Sequence, residues 1–433
     1  MALRHPSNIV TASAFSVVFI AFVVAALAWR TFLAVRQSRH VAAHRAEVPR
    51  DFAGLIPLDA HRRAADYTLD KQRVALVETW VVDGGLLLAL TLGGGVAAID
   101  ALSARWLGDR HVRDLVTVFG VMLASAVVTL PFDAWRTFGI ESRYGFNRTT
   151  PKLFVIDLLR GALLGVLLGT PLLLLVFWFV HRTGAFWWLY TWLAWIAFTL
   201  LLVSTYPRWI APLFNRFTPL EQGELRSRIE ALVARCGFHA EGLFVMDGSK
   251  RSSHGNAYFT GFGRDKRIVF FDTLMERLTP AEIEAVLAHE LGHFARGHIP
   301  RLLIVRFVLA LLLLAVLGWL YQQPAFYHAL HLPAPQIGAA LAGFALVVPV
   351  FVFPFQPLAS LIARRQEFEA DAFAAAHARA ADLVSALAKL YRDNAATLTP
   401  DPLHSLVYDS HPPAALRIDH LKRAGEGPLE TAP

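Results

Sequence analysis

Apolar residues run in blocks of about 20, the length of a bilayer-crossing helix, over seven stretches of the chain. They are Ile9 to Leu33, Val81 to Ile99, Leu115 to Trp135, Phe154 to Val180, Phe186 to Tyr206, Leu302 to Tyr321, and Ile337 to Ile362. Each predicts a transmembrane helix. The second is the weakest pattern, being Gly-rich and flanked by Asp83 and Asp100. The first has a cleavage-like Ala26-Leu27-Ala28, but its apolar run is longer than a signal peptide's and its basic residues follow it instead of preceding it. It reads as an uncleaved span.

Composition agrees. Hydrophobic residues make up 55% of 433, mean hydropathy is +0.45, and only 17% are charged, against about 25% in soluble domains. Charge then orients the spans. With the N-terminus outside, the inner segments hold 33 of the 41 Lys and Arg residues and the outer segments five, which favours N-out, C-in. The net charge of +7 is thus inner-face charge beside anionic lipid. No nucleic-acid partner is needed to explain it. The lone Cys236 excludes an intramolecular disulfide and suits a cytosolic-side soluble part. Asp157, Arg160 and Arg306 lie within spans; an i,i+3 pairing of the first two and a water-lined interior are expected.

Between the fifth and sixth spans, Thr279 to His298 carries the chemistry. Thr279 with Glu282 forms a capping-box pattern, Pro280 suits the first helical position, and Ile283, Val286, Leu287 and Leu291 repeat at helical spacing. On that helix His289 and His293 sit one turn apart, so two imidazoles can converge on one Zn²⁺. Glu290, about 100° round, can reach a water on the metal without ligating, as a general base does. A chance H-E-x-x-H is expected only roughly 0.02 to 0.03 times in such a chain. His298 is out of register for the H-E-x-x-H-x-x-G-x-x-H extension and reads as a structural or supporting histidine.

Two histidines leave the site one ligand short. Glu367 and Asp371, four apart on a helix after the seventh span, offer the remainder: one carboxylate can bind the metal while the other accepts the far ring N–H of a ligand histidine. A solvated helix face is the plainer alternative for this cluster, and Glu369 is given that reading. Both metal-site helices are expected to continue transmembrane helices. Upstream, two runs rich in aromatic and β-branched residues flank Gly263-Arg264-Asp265 and predict a β-hairpin. Its first strand, Asn256, Ala257, Tyr258 and Phe259, is a candidate edge for holding a substrate backbone; a hairpin that merely packs is the alternative. Near the C-terminus, Ser410-His411-Pro412-Pro413 leads into a short helix carrying Arg417. His411 and Arg417 could serve an oxyanion, though spacing alone favours an exposed loop histidine. Glu141 to Asn147 has no assignment on physical grounds.

Together these motifs resemble the integral-membrane zinc CAAX prenyl proteases of the a-factor-converting type. The likeness runs from the first span to Arg417 and adds Glu141 with Tyr144-Gly145-Phe146-Asn147 and Pro212 to Leu220. It implies seven helices around a water-filled chamber, in an all-α membrane protein with a small inner-face metalloprotease part of gluzincin-like helices and a β-hairpin. It implies one Zn²⁺ per chain on His289, His293 and Glu367, Glu290 as base, Asp371 behind a ligand histidine, Asn256 to Phe259 on the substrate backbone, and His411 with Arg417 at the scissile carbonyl.

The chain divides accordingly into residues 1–206 (five spans), 207–301 (protease part), 302–362 (two spans) and 363–433 (Glu-ligand helix and tail). The expected function is zinc-dependent endoproteolysis near the C-terminus of prenylated or other membrane-associated proteins. Membrane-protein quality control without a prenyl requirement, a transporter or channel with a structural zinc, and a four-span protease of the HtpX kind are the alternatives. The terminal Glu430-Thr431-Ala432-Pro433 carries no endoplasmic-reticulum retrieval signal, and the Ala-, Leu- and Arg-heavy composition suggests a bacterial inner membrane.

Overall fold

The computed structural model describes residues 6–238, 242–260 and 267–426. Six helical stretches there are long and apolar enough to cross a bilayer: Ala12–Ala43, Arg110–Glu141, Pro151–Arg182, Gly184–Leu213, His298–Leu320 and Ile337–His377. A seventh exists if Leu58–Leu90 and Gly95–Trp106, bent by 54°, count as one span. The second, Gly-rich span expected over Val81 to Ile99 falls on this bent pair. Its break is built from glycine. Gly94 takes φ +73°, and a Cβ on Gly93 or Gly95 would lie 2.6 to 2.9 Å from the backbone of Ala89, so only glycines allow so tight a reversal. Leu163, Leu167, Trp178 and Leu193 are exposed on the outer surfaces, where lipid replaces water as the favourable neighbour.

The protease part folds over a four-stranded sheet of order β1-β2-β4-β3, with β1 Phe217–Pro219, β2 Gly242–Met246, β3 Ala257–Thr260 and β4 Arg267–Phe271. The expected hairpin is the antiparallel β3–β4 pair; its turn, Gly261 to Lys266, lies outside the described residues. The sequence reading misses β1 and β2, and β2 runs parallel to β4. Ile268 and Phe270 of β4 bury against Ile229, Leu232, Ile283, Leu287 and Leu291. That core fixes the helix bearing His289, Pro280–Ala295 (the His helix), against the sheet.

The capping box on the His helix forms as its sequence dictates, with Thr279 accepting from Glu282 N–H and Glu282 from Thr279 N–H. Glu282 also accepts from Lys389 Nζ at 2.7 Å and Ser385 Oγ at 2.6 Å. At the other end the helix stops at Gly297, in the left-handed region at φ +68°, before His298–Leu320 begins. The expected continuity with the sixth span is thus corrected by that glycine. The Glu367 helix, Gln356–His377 (the Glu helix), does continue the last span, joined to Ile337–Val352 through a single tight turn at Phe353–Phe355.

Arg251 ties the membrane part to the protease part. It makes a two-pronged ion pair with Asp157 at 2.7 and 3.0 Å and donates to Asn215 at 2.7 Å. Asp157 does approach Arg160, at 3.7 Å, but Arg251 is its close partner. The segment Glu141 to Asn147, left without assignment above, lies along the strand leading to β3: Arg148 N–H donates to Arg251 and Ser253 N–H to Phe146, both at 3.0 Å. The Glu141 side chain accepts from Tyr67 and lies 3.3 Å from His254 Nε2.

Candidate active site

The His helix and the Glu helix pack closely enough to share a metal because of Gly292. A Cβ there would lie 2.9 Å from Ala370 Cα and 3.0 Å from its carbonyl oxygen, so the helix bearing Glu367 comes to the bare backbone of the other. The contact brings His289 Nε2 and His293 Nε2 to 3.3 Å of one another. Glu367 Oε2 lies 3.5 Å from the first, and Oε1 lies 3.3 Å from the second. The three ligand atoms fall within 4.8 Å of one another.

Each imidazole is held by its other nitrogen. His289 Nδ1 lies 2.8 Å from Asp371 Oδ1, and Asp371 is fully buried. Burial pushes the His289 ring down, but the carboxylates of Asp371 and Glu367 beside it outweigh burial and raise it, which makes the ring a basic ligand once a metal takes the place of a proton on Nε2. His293 Nδ1 meets His298 Nδ1 at 2.9 Å, and His298 Nε2 meets Glu369 Oε2 at 3.0 Å. With His298 neutral, His293 donates to His298 and His298 donates to the carboxylate. Both Nε2 lone pairs then aim at one point, and buried Glu367 Oε2 has no hydrogen-bond donor. Two imidazoles and a carboxylate converging without protons between them fit a divalent transition metal, zinc above others.

Glu369 therefore does not have the solvated-face reading given it above; it anchors His298. Substituting Glu369→Gln should weaken metal affinity about 10- to 100-fold, measured by competition with a chromophoric chelator. Gly292→Ala should cost at least about tenfold by the same assay, because overpacking by about 1 to 3 kcal/mol spreads the ligands.

Glu290 lies beside the pair, one position along, and burial pushes its carboxyl up. His411 stands on the open side with its side chain 60% exposed and Nε2 3.5 Å from Glu367 Oε1. Ser410 Oγ lies 3.0 Å from His411 Nδ1, so a hydroxyl donating there leaves Nε2–H free to donate towards the cleft. Loss of solvent on its inner side, together with Arg417, His289 and His293 nearby, pushes this imidazole below its usual value against the pull of Glu367.

The sequence reading places Arg417 at the scissile carbonyl, and the structure turns it elsewhere. Its guanidinium is 5% exposed and forks onto Asp371, with Nε at 2.9 Å and NH2 at 2.6 Å, while NH1 lies 3.5 Å from Glu367 Oε2. Arg417 thus stands behind the ligands and fixes two carboxylates at once. The reason is electrostatic: Asp371 and Glu367, both out of water, need a buried cation, and only a planar fork serves both.

β3 is the free edge of the sheet. Ala257 and Phe259 turn their side chains into the core, Phe259 packing on Phe294 of the His helix at 4.2 Å between rings. Phe271 N–H donates to Asn256 at 3.0 Å, so by the antiparallel alternation the amides of Ala257 and Phe259 point off the edge. Asn256 Oδ1 accepts from Ala257 N–H at 2.8 Å, occupying a donor that an added strand would take. The sequence reading missed Gly292 and Ser410 and gave Glu369 a solvated face, whereas it took His298 as a supporting histidine; Gly292 carried a signal, a helix-interior glycine that costs about 1 kcal/mol without a packing reason.

Known proteins resemble this chain along most of its length. Residues 37–216 match the family described as CAAX prenyl protease N-terminal, five membrane helices, and residues 219–424 match peptidase family M48. A CAAX prenyl protease 1 homolog of Arabidopsis thaliana is 34% identical over 92% of this chain and 95% of its own. Its namesake in Homo sapiens is 31% identical over 91% and 92%. The crystal structure of S. mikatae Ste24p superposes with a TM-score of 0.86 at 29% identity, covering 97% of this chain and all of that one. This multi-pass membrane chain therefore belongs to the CAAX prenyl protease 1 family of M48 metallopeptidases.

Proposed function

We propose that the chain is a zinc endopeptidase that cleaves membrane-associated, prenylated substrates close to their C-termini, with His289, His293 and Glu367 as the residues that would hold one Zn²⁺. The convergence of those three ligand atoms within 4.8 Å carries the reading. When bound, zinc supplies Lewis acidity, lowering the pKa of water and polarising a carbonyl. Glu290, its carboxyl made more basic by burial, takes the proton of the attacking water and returns it to the leaving amine. His411 donates Nε2–H to the oxyanion as it forms. Asn256, Ala257, Tyr258 and Phe259 hold the substrate backbone as an added strand, with Ala257 N–H passing from Asn256 Oδ1 to the peptide. Asp371 and Arg417 position the ligands.

The likeness to CAAX prenyl protease 1 homologs supports prenylated substrates. The excess of Lys and Arg on one side supports an N-terminus outside and an active site on the cytosolic side, and the composition supports a bacterial inner membrane. The division into residues 1–206, 207–301, 302–362 and 363–433 separates the two membrane blocks from the His-bearing and Glu-bearing parts. Purified enzyme in detergent, given matched peptides with and without an S-farnesyl cysteine, tests the reading by mass spectrometry of the products. Cleavage just after the farnesyl cysteine, abolished by 1,10-phenanthroline, is expected. Equal cleavage of the bare peptide would move the reading to general membrane proteolysis.

A further inference from the structure

A cavity of about 390 Å³ opens beside His411, with Pro412, Tyr391, Gln72 and Lys71 in its wall. Tyr391 is within electrostatic reach of Glu367 and Asp371, which joins this space to the metal site. Lys71 is the only Lys or Arg lining it. Its Nζ lies 3.9 Å above the Tyr67 ring. Among the described residues it has no hydrogen-bond acceptor and no carboxylate within ion-pair distance. Glu141, its electrostatic neighbour, spends its carboxylate on Tyr67 and His254. Asp409, the acid in the same wall, makes no ion pair with Lys71 among the described residues. The side chain is exposed to water in the wall of this cavity.

An ammonium in a concave site, resting over an aromatic face with no carboxylate or other hydrogen-bond acceptor in reach, is a receptor for an anion. Resting on the endopeptidase reading above, we propose that Lys71 binds the free C-terminal carboxylate of the substrate, so that the enzyme measures its cut from the chain end. Three residues beyond the scissile bond reach about 10 Å when extended, comparable with the width of such a cavity. The occupant is then a short carboxy-terminal peptide, released into this space after cleavage. A terminal amide would lose the ion pair and leave the ammonium facing a neutral group.

The test pairs a protein change with a substrate change. Farnesylated peptides ending in a free acid or a primary amide are supplied to full-length wild type, Lys71→Gln and Lys71→Arg in detergent, and kcat/KM is read for each. Wild type should prefer the acid by about tenfold or more; Lys71→Gln should bring the ratio close to one, chiefly by slowing the acid, and Lys71→Arg should keep the preference. Because the ratio is taken within one variant, a lower yield of folded protein does not alter it. A wild-type ratio retained by Lys71→Gln overturns the assignment, as does a wild type that cuts acid and amide equally, which would leave the peptidase reading standing. If wild type cuts neither peptide, the peptidase reading fails first and the carboxylate site with it.

Discussion

Glu290→Gln is expected to lower kcat/KM by about 10²- to 10⁴-fold with metal content unchanged. Glu290 lies on the same turn as the two histidines but makes none of the ligand contacts, which run from His289 and His293 to Glu367. The amide keeps the shape and loses the ability to take a proton. Steady-state kinetics on the purified variant, with metal measured in the same sample, check both halves. Activity near wild type would remove Glu290 from the chemistry, and lost metal would make it structural.

The second large effect belongs to Arg417. Replacing it by Met leaves Asp371, 0% exposed, with only His289 as partner, and strips Glu367 of its one nearby guanidinium. Breaking a buried pair by removing one partner costs about 3 to 5 kcal/mol, so Arg417→Met should unfold at markedly lower temperature and bind metal weakly. Arg417→Lys should rescue little, because a point charge cannot fork across both Asp371 oxygens. Adding Asp371→Asn to Arg417→Met should restore part of the stability, whereas its metal affinity should stay low because Asn holds His289 less firmly. If Arg417→Met melted like wild type and lost only turnover, Arg417 would belong at the scissile carbonyl after all.

Much of this site can be read from spacing because two of its parts are local. His289, Glu290 and His293 share one helix turn, and the capping box that starts the helix is written in Thr279 and Glu282. Glu367 and Asp371 are visible as an i,i+4 carboxylate pair, although nothing local says which one meets the metal. What spacing could not show is long-range: that Glu369 reaches His298, that Arg417 turns inward, that Arg251 pairs with Asp157. These depend on how helices far apart in the chain pack, and each looks from its neighbours like an ordinary surface charge. The membrane spans were readable by apolar length, and the least regular of them, Val81 to Ile99, is bent where three consecutive glycines break a helix that hydropathy alone continues. The strands β1 and β2 were missed because three and five residues give too short a pattern to separate from loop. Gly292 lay in plain view, a glycine paying the entropy of a helix interior so that two backbones can touch.

Everything in the mechanism depends on two imidazoles and one carboxylate taking the same ion. X-ray absorption at the zinc edge of the purified, full-length protein addresses that directly. The structure predicts one zinc per chain, with two imidazole nitrogens at about 2.0 to 2.1 Å, oxygen from carboxylate and solvent at about 2.0 to 2.2 Å, and loss of the metal in Glu367→Ala. A zinc enclosed by four protein ligands, or one that survives Glu367→Ala with an unchanged spectrum, would contradict it.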